Sequence, residues 1–230
     1  MRIYLIPNVL AEETAHFLPP YVSEILPQIQ YFLVENERTA RRFIGSLNLG
    51  IPIRELTLFV LDKKTKTPQI QQYFEKIPKG SSVGIISEAG VPCVADPGHL
   101  AVAYAHEKNW EVMPITGPSS ILLALMGSGM NGQKFKFHGY LPIQAGDVAK
   151  AIRQVESAAL LGETQIFMET PYRNNKLFEQ LLQFGHKNTR LCIACNLTSA
   201  EQFIRTKPIG QWKTSDIDLH KKPTMFLLGQ

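Results

Sequence analysis

Short apolar runs alternate with longer stretches of helical periodicity along the chain, and this alternation restricts the fold more than any other feature. In the first half, strands are expected at 2–6, 31–35, 56–61, 82–87 and 111–115, with helices at 20–28, 37–47, 68–77 and 97–108 between them. A strand that returns to its sheet through a helix lies parallel to its predecessor, so this half predicts a mainly parallel sheet with flanking helices. Asn36 can cap the helix that starts at Glu37, and Asp96-Pro97 sets a capping residue before a proline at the first helical position.

The second half follows a different order. Helices are expected at 119–126, near 147–160 and at 174–183, and strands at 135–140, 164–169 and 190–197. The last two strands, 202–206 and 224–228, have no helix between them. Closely connected strands usually pair antiparallel, which makes this second sheet mixed. A turn at Gly117-Pro118 separates the two patterns, giving an N-terminal α/β domain over 1–116 and a C-terminal α/β domain over 117–230.

Composition narrows the class of protein. The longest apolar runs, such as 120–126, are far too short to span a bilayer, and the start Met1-Arg2-Ile3-Tyr4-Leu5-Ile6-Pro7 reads as a strand rather than a signal peptide. A cytoplasmic protein with no membrane segment is expected. A net charge of +4 permits an anionic partner without demanding one. Cys93, Cys192 and Cys195 make an odd count, and the Cys192–Cys195 pair lies inside an apolar run that reads as a buried strand. No second Cys or His pair completes a zinc site, so no metal is expected.

Ligands of open α/β sheets bind beyond the carboxyl ends of the strands. The first strand ends in Pro7-Asn8-Val9-Leu10, whose lack of glycine argues against a dinucleotide or Walker-type phosphate loop. The fourth runs into Ser87-Glu88-Ala89-Gly90-Val91-Pro92-Cys93-Val94-Ala95-Asp96-Pro97-Gly98. Its small residues and prolines suit main-chain contacts to an uncharged heterocycle or ribose, and suit equally a turn that merely caps a helix. The fifth runs into Thr116-Gly117-Pro118-Ser119-Ser120, where Ser119 or Ser120 can cap the next helix, or leave free N–H groups for a carboxylate or hydroxyl.

The motifs Glu88-Ala89-Gly90-Val91-Pro92, Asp96-Pro97-Gly98, Gly117-Pro118-Ser119-Ser120 and Gly139-Tyr140-Leu141-Pro142 stand in one order along the chain. Later come Phe167-Met168-Glu169-Thr170-Pro171-Tyr172-Arg173 and Pro223-Thr224-Met225-Phe226-Leu227-Leu228. In these the chain resembles the tetrapyrrole-methylase superfamily of S-adenosylmethionine-dependent methyltransferases, nearest its branch of ribosomal RNA small-subunit cytidine 2′-O-methyltransferases. The resemblance implies two α/β domains with the cofactor S-adenosylmethionine in a cleft between them. It implies cofactor contacts at Pro7, Ala89, Gly90, Val91, Val94, Ser119 and Ser120, and at Met168, Asn196, Leu197, Thr198, Thr224 and Met225. It further implies a homodimer, with ribosomal RNA or the small ribosomal subunit as partner.

A ribose hydroxyl needs a base or close positioning. Glu35 and Arg38 match the family's Glu-Asp-Thr-Arg segment, so Glu35 is the candidate base and Arg38 a phosphate or substrate contact. Arg38, Arg41 and Arg42 share a helix face by spacing, as an RNA-facing or simply solvated stripe. Arg173 and His138 are candidate substrate contacts. The chain departs from the branch at Asn36, at Glu88, at Cys195-Asn196 and in the loop after the first strand. These departures keep two alternatives open: methylation of a tetrapyrrole or other small molecule, and a non-catalytic protein that binds S-adenosylmethionine or RNA.

Overall fold

A computed structural model describes residues 1–142 and 144–230. Contacts divide the chain into two units, Met1–Ser119 and Ser120–Gln230. Among the described residues no helix is long and apolar enough to cross a membrane.

The first unit holds strands β1 (Arg2–Leu5), β2 (Tyr31–Val34), β3 (Thr57–Val60), β4 (Ser82–Ile86) and β5 (Glu111–Pro114), in the order β3-β2-β4-β1-β5, and every pairing is parallel. Its helices are α1 (Pro20–Ile25), α2 (Glu37–Ser46), α3 (Thr67–Glu75) and α4 (Gly98–Glu107). Strand side chains alternate between two cores because the pleat has a period of two. Tyr4, Phe32, Val34 and Ile86 pack with Val22, Ile25, Phe43 and Ile44 of α1 and α2. Ile3, Leu33, Val83 and Ile85 pack with Ile70, Phe74, Ala101 and Tyr104 of α3 and α4. The helix that follows β1 packs in one core and the helix that follows β4 in the other, so the connections from these neighbouring strands leave to opposite faces of the sheet. A sheet of this kind opens its ligand crevice at that point.

Asn36 caps α2 as its position suggests, its Oδ1 accepting from Arg38 N at 2.9 Å and Thr39 N at 3.2 Å. The start of α4 differs from the expectation. Pro97 is the capping residue rather than the first helical one, and Asp96 lies one residue further out, where its Oδ1 still accepts from Gly98 N at 2.7 Å. Near the other end of α2, a methyl group on Gly45 would meet no atom within 4 Å. Gly45→Ala therefore removes only the entropic cost of a helical glycine, about 0.5–1 kcal/mol. A rise in melting temperature of about 1–4 °C is expected by calorimetry.

The second unit contains α5 (Ser120–Ser128), β6 (Phe135–Tyr140), α6 (Ala145–Leu160), β7 (Thr164–Met168), α7 (Asn174–Phe184), β8 (Arg190–Cys195), β9 (Phe203–Pro208) and β10 (Thr224–Gly229). The sheet runs β6-β7-β10-β8-β9, with β6 and β7 parallel and the other pairs antiparallel. Phe167 and Phe226 stack in its core, 6.0 Å between centroids, under Ile152, Val155, Phe178 and Leu181 of α6 and α7. Cys192 and Cys195 are buried, and only Cys195 belongs to this core, because three residues along a strand reverse the face.

The sheet is mixed, but the last two strands do not pair with each other. β9 pairs with β8 at the edge, and β10 lies between β7 and β8. Burial decides the choice. All six residues of β10 are buried, which requires a central place, whereas β9 carries Arg205, Lys207 and Pro208, which an edge tolerates. Two 3₁₀ turns, Ile209–Gln211 and Thr214–Asp216, belong to the connection between them.

Candidate active site

In the first unit, three loops meet at the carboxyl ends of β1, β4 and β5, and Asn8 ties two of them together. It is 2% exposed. Its Nδ2 donates to Ser87 O and Glu88 O, both at 3.0 Å, and its backbone N to Gly90 O at 2.9 Å. Val91 N donates to Pro118 O at 3.1 Å, which joins the third loop. Pro7 is buried against Gly117, where a Cβ would stand 2.1 Å from the Pro7 Cβ. Ala89, Gly90 and Val91 are thus held on both sides by main-chain bonds.

The backbone of this loop is forced. Gly90, Cys93 and Ala95 have φ of +69°, +69° and +65°, and the last two are residue types that rarely adopt such values. Strain of this kind persists where the surroundings over-determine a loop, and it clusters at ligand sites. Val94 is 48% exposed beside it, and Ser119 is buried. Burial, then the charge of Asp96, pushes the Cys93 thiol up to about 12, so it is no nucleophile at neutral pH.

Glu35 follows β2 and is half-buried, its Oε2 accepting from Glu88 N at 3.2 Å. Burial raises its pKa above the ordinary carboxylate range, and the charges of Glu88 and Asp96 add to this against the Glu88 N–H bond and Lys63. Asp96 is raised as well, by burial first, against bonds from Gly98, Cys93 and Val94. Glu35 and Asp96 line one small cavity with Ser87 and Gly98. Two carboxyls raised in one place are an arrangement that clusters at functional sites.

A larger cavity of about 700 Å³ opens in the same unit between the loop 8–16, α2 and Glu88-Ala89. Glu12, Glu13, Glu88, Arg42 and His16 line it, and Arg42 reaches Glu12 at 3.2 Å. Arg38 is exposed. The expected arginine stripe is incomplete, because Arg41 turns back onto the carbonyls of Ile53 and Leu56 and approaches Glu37 at 3.9 Å. Carbonyls that end up beside a helix without sheet partners attract the nearest guanidinium.

The second unit brings its own candidates to one end of its sheet. Met225 sits opposite Met168, and Thr224 opposite Cys195, which leads into Asn196-Leu197-Thr198. Asn196 and Thr198 have φ of +50° and +71°, the latter a marked outlier for a β-branched residue. The Thr198 hydroxyl is buried without a hydrogen-bond partner among the described residues. An orphaned hydroxyl over a strained backbone fits a polar ligand that completes it. His138 and Arg173 have internal partners: His138 Nε2 lies 2.7 Å from Gln165 Oε1, and Arg173 donates to Glu169 at 2.6 Å and to Thr170 Oγ1 at 3.2 Å.

Asn8 is the residue that sequence reasoning missed. An asparagine directly after the proline that closes the first apolar run is its local signal in the sequence.

Comparison with known proteins bears on the family and the fold. The family model for tetrapyrrole (corrin/porphyrin) methylases matches residues 32–212. Ribosomal RNA small subunit methyltransferase I of Vibrio cholerae is 27% identical over 208 residues, 89% of this chain and 69% of that protein. The protein of the same name from Escherichia coli O157:H7 is 24% identical over 233 residues, 99% of this chain and 77% of the relative. That from Mesorhizobium japonicum is 34% identical over 127 residues, 55% and 42% of the two chains. Among solved structures, the methyltransferase CobJ shares the fold with a TM-score of 0.62 at 18% identity, over 100% of this chain and 92% of its own.

Proposed function

The chain belongs to the tetrapyrrole (corrin/porphyrin) methylase family and is an S-adenosylmethionine-dependent methyltransferase, and from that premise we propose that its acceptor is a ribose 2′-hydroxyl of small-subunit ribosomal RNA. The observation that carries this reading is the alignment of proteins named for small-subunit ribosomal RNA methylation along nearly all of the chain. The large cavity of the first unit supports it. Three glutamates against one arginine and one histidine would repel the carboxylates of a tetrapyrrole. A neutral base and ribose can enter such a cavity while their phosphates stay outside.

In the first unit the cofactor contacts would be Ala89, Gly90, Val91, Val94 and Ser119; in the second they would be Ser120, Met168, Asn196, Leu197, Thr198, Thr224 and Met225. Pro7 backs the first set through Gly117. When bound, the cofactor supplies an activated methyl group on a sulfonium, so no metal is needed. The protein aligns the acceptor, and Glu35 takes the hydroxyl proton onto its carboxylate. Arg38 contacts an RNA phosphate, and Arg173 and His138 are the second unit's substrate contacts. The protein acts in the cytoplasm as a homodimer, as the family resemblance implies, and the exposed Phe17 and Tyr21 give its first unit apolar area for pairing.

The test combines titration with S-adenosylmethionine and transfer of labelled methyl groups to under-methylated small ribosomal subunits. The wild type should bind the cofactor and label the RNA at a ribose. Ser119→Trp, which fills a buried loop position, should lose both. Cofactor binding without transfer to small subunits would sink the ribosomal acceptor. Labelling of a base instead of a ribose would sink the 2′-hydroxyl.

A further inference from the structure

Beside Arg173, the second unit displays an exposed aromatic ring with a lysine over it. Tyr172, in the turn before α7, is 70% exposed. This turn is clamped to the segment 218–222. Lys221 N donates to Pro171 O at 3.0 Å, Asn174 Nδ2 to Lys222 O at 2.7 Å, and Leu219 N to Asn175 Oδ1 at 2.8 Å. The clamp holds Lys221 at a φ of +60°, which an L-residue without such support seldom keeps. The His220 and Tyr172 rings meet at 75° with 5.9 Å between centroids, and Lys221 Nζ lies over the tyrosine ring, 6.0 Å from its centre.

The acidic groups nearby are already engaged. Asp218 Oδ1 accepts from Asn175 Nδ2 at 2.7 Å and from His220 N at 3.0 Å, and Glu169 is bound by Arg173. What this surface offers a partner is a tyrosine ring left 70% exposed, with the Lys221 ammonium over it and Lys222 next along the chain. Single-stranded nucleic acid is recognised by that combination, with bases stacking on aromatic faces and cations following the phosphates. An acidic peptide would use the lysines but not the ring.

We infer that Tyr172 is a stacking platform for an unpaired base of RNA, with Lys221 and Lys222 holding the neighbouring phosphates. The inference rests on the RNA acceptor proposed above and adds a docking surface on the second unit.

The test is fluorescence anisotropy of the full chain with a labelled single-stranded RNA, repeated over a range of salt and beside a labelled poly-glutamate peptide. Tyr172→Ala should weaken RNA binding about ten-fold and leave peptide binding unchanged, and Tyr172→Trp should restore it. Lys221→Ala with Lys222→Ala should weaken both ligands and flatten the logarithmic salt dependence for RNA by about 1.4, or about 0.7 for each phosphate released. Melting temperature and cofactor titration should not change, since Tyr172 and Lys221 are exposed and Lys222 is partly so. RNA affinity of Tyr172→Ala within about two-fold of wild type would overturn the inference, as would an equal loss for RNA and peptide. If that variant is silent while the wild type still methylates ribosomal RNA, the acceptor reading stands alone. A wild type that binds no RNA overturns both.

Discussion

Gly117→Ala is expected to lower the melting temperature by about 2–12 °C and to abolish binding of S-adenosylmethionine. The added Cβ would lie 2.1 Å from the Cβ of Pro7 and 2.6 Å from its Cγ, distances that no real pair of carbons sustains. A flexible side chain would swing away, but the proline ring is fixed to its own backbone. Relief must come from moving the loop after β1 away from the loop after β5. Asn8 follows Pro7 directly, so its bonds to Ser87 O, Glu88 O and Gly90 O move with it. Overpacking of this sort costs about 1–3 kcal/mol, and each kcal/mol is worth about 2–4 °C in a chain of this size. Calorimetric unfolding and cofactor titration read the two effects separately. A variant that melts and binds like the wild type would show that the contact between Pro7 and Gly117 does not set the loops. Gly45→Ala, where the new methyl group meets nothing, is the control of opposite sign.

The same contact shows why part of the site was not legible in the sequence. The parallel sheet was, because apolar runs of strand length alternating with helical stretches admit few other folds, and Asn36 announced the start of α2 through its position alone. Those are local signals. Asn8 binds carbonyls 79 and 80 residues away, and nothing around it in the sequence marks those partners. Looking for glycine in the loop after β1 missed the device used there, which is a buried side-chain amide holding the neighbouring loop. Arg41 spaces correctly with Arg38 but is drawn off by carbonyls at Ile53 and Leu56, which only the folded chain brings near. The order of β9 and β10 depends on burial on both faces of the sheet, a property of the assembled sheet rather than of the connection between the strands. Motifs such as Glu88-Ala89-Gly90-Val91-Pro92 were legible because their bends are local: Gly90 adopts a φ that glycine alone tolerates freely.

Glu35→Gln is expected to reduce methyl transfer by about 10²–10⁴-fold, the usual contribution of a positioned base, while cofactor binding is kept. Glutamine preserves the acceptor oxygen for Glu88 N, so the loop survives and only proton acceptance is lost. The pH dependence gives an independent reading. Burial first, then the charges of Glu88 and Asp96, raise the Glu35 pKa, so the active carboxylate forms only above the ordinary range for a glutamate. The wild-type rate should therefore climb with pH through that raised midpoint, and the residual rate of the variant should lack this rise. Stability moves in the opposite sense. A carboxyl whose folded pKa exceeds its unfolded value of about 4.3 favours the folded state while protonated. That contribution is present at low pH and is lost as pH rises from the unfolded value through the folded one. Glu35→Gln should remove part of this decline, and Asp96→Asn, whose carboxyl is raised by the same burial, should remove another part. Denaturant unfolding at several pH values checks the two slopes. If the rate of Glu35→Gln stays within a few-fold of wild type while its stability profile flattens as described, the carboxyl is buried and strained but takes no proton from the acceptor. The hydroxyl would then react through alignment with the methyl donor alone.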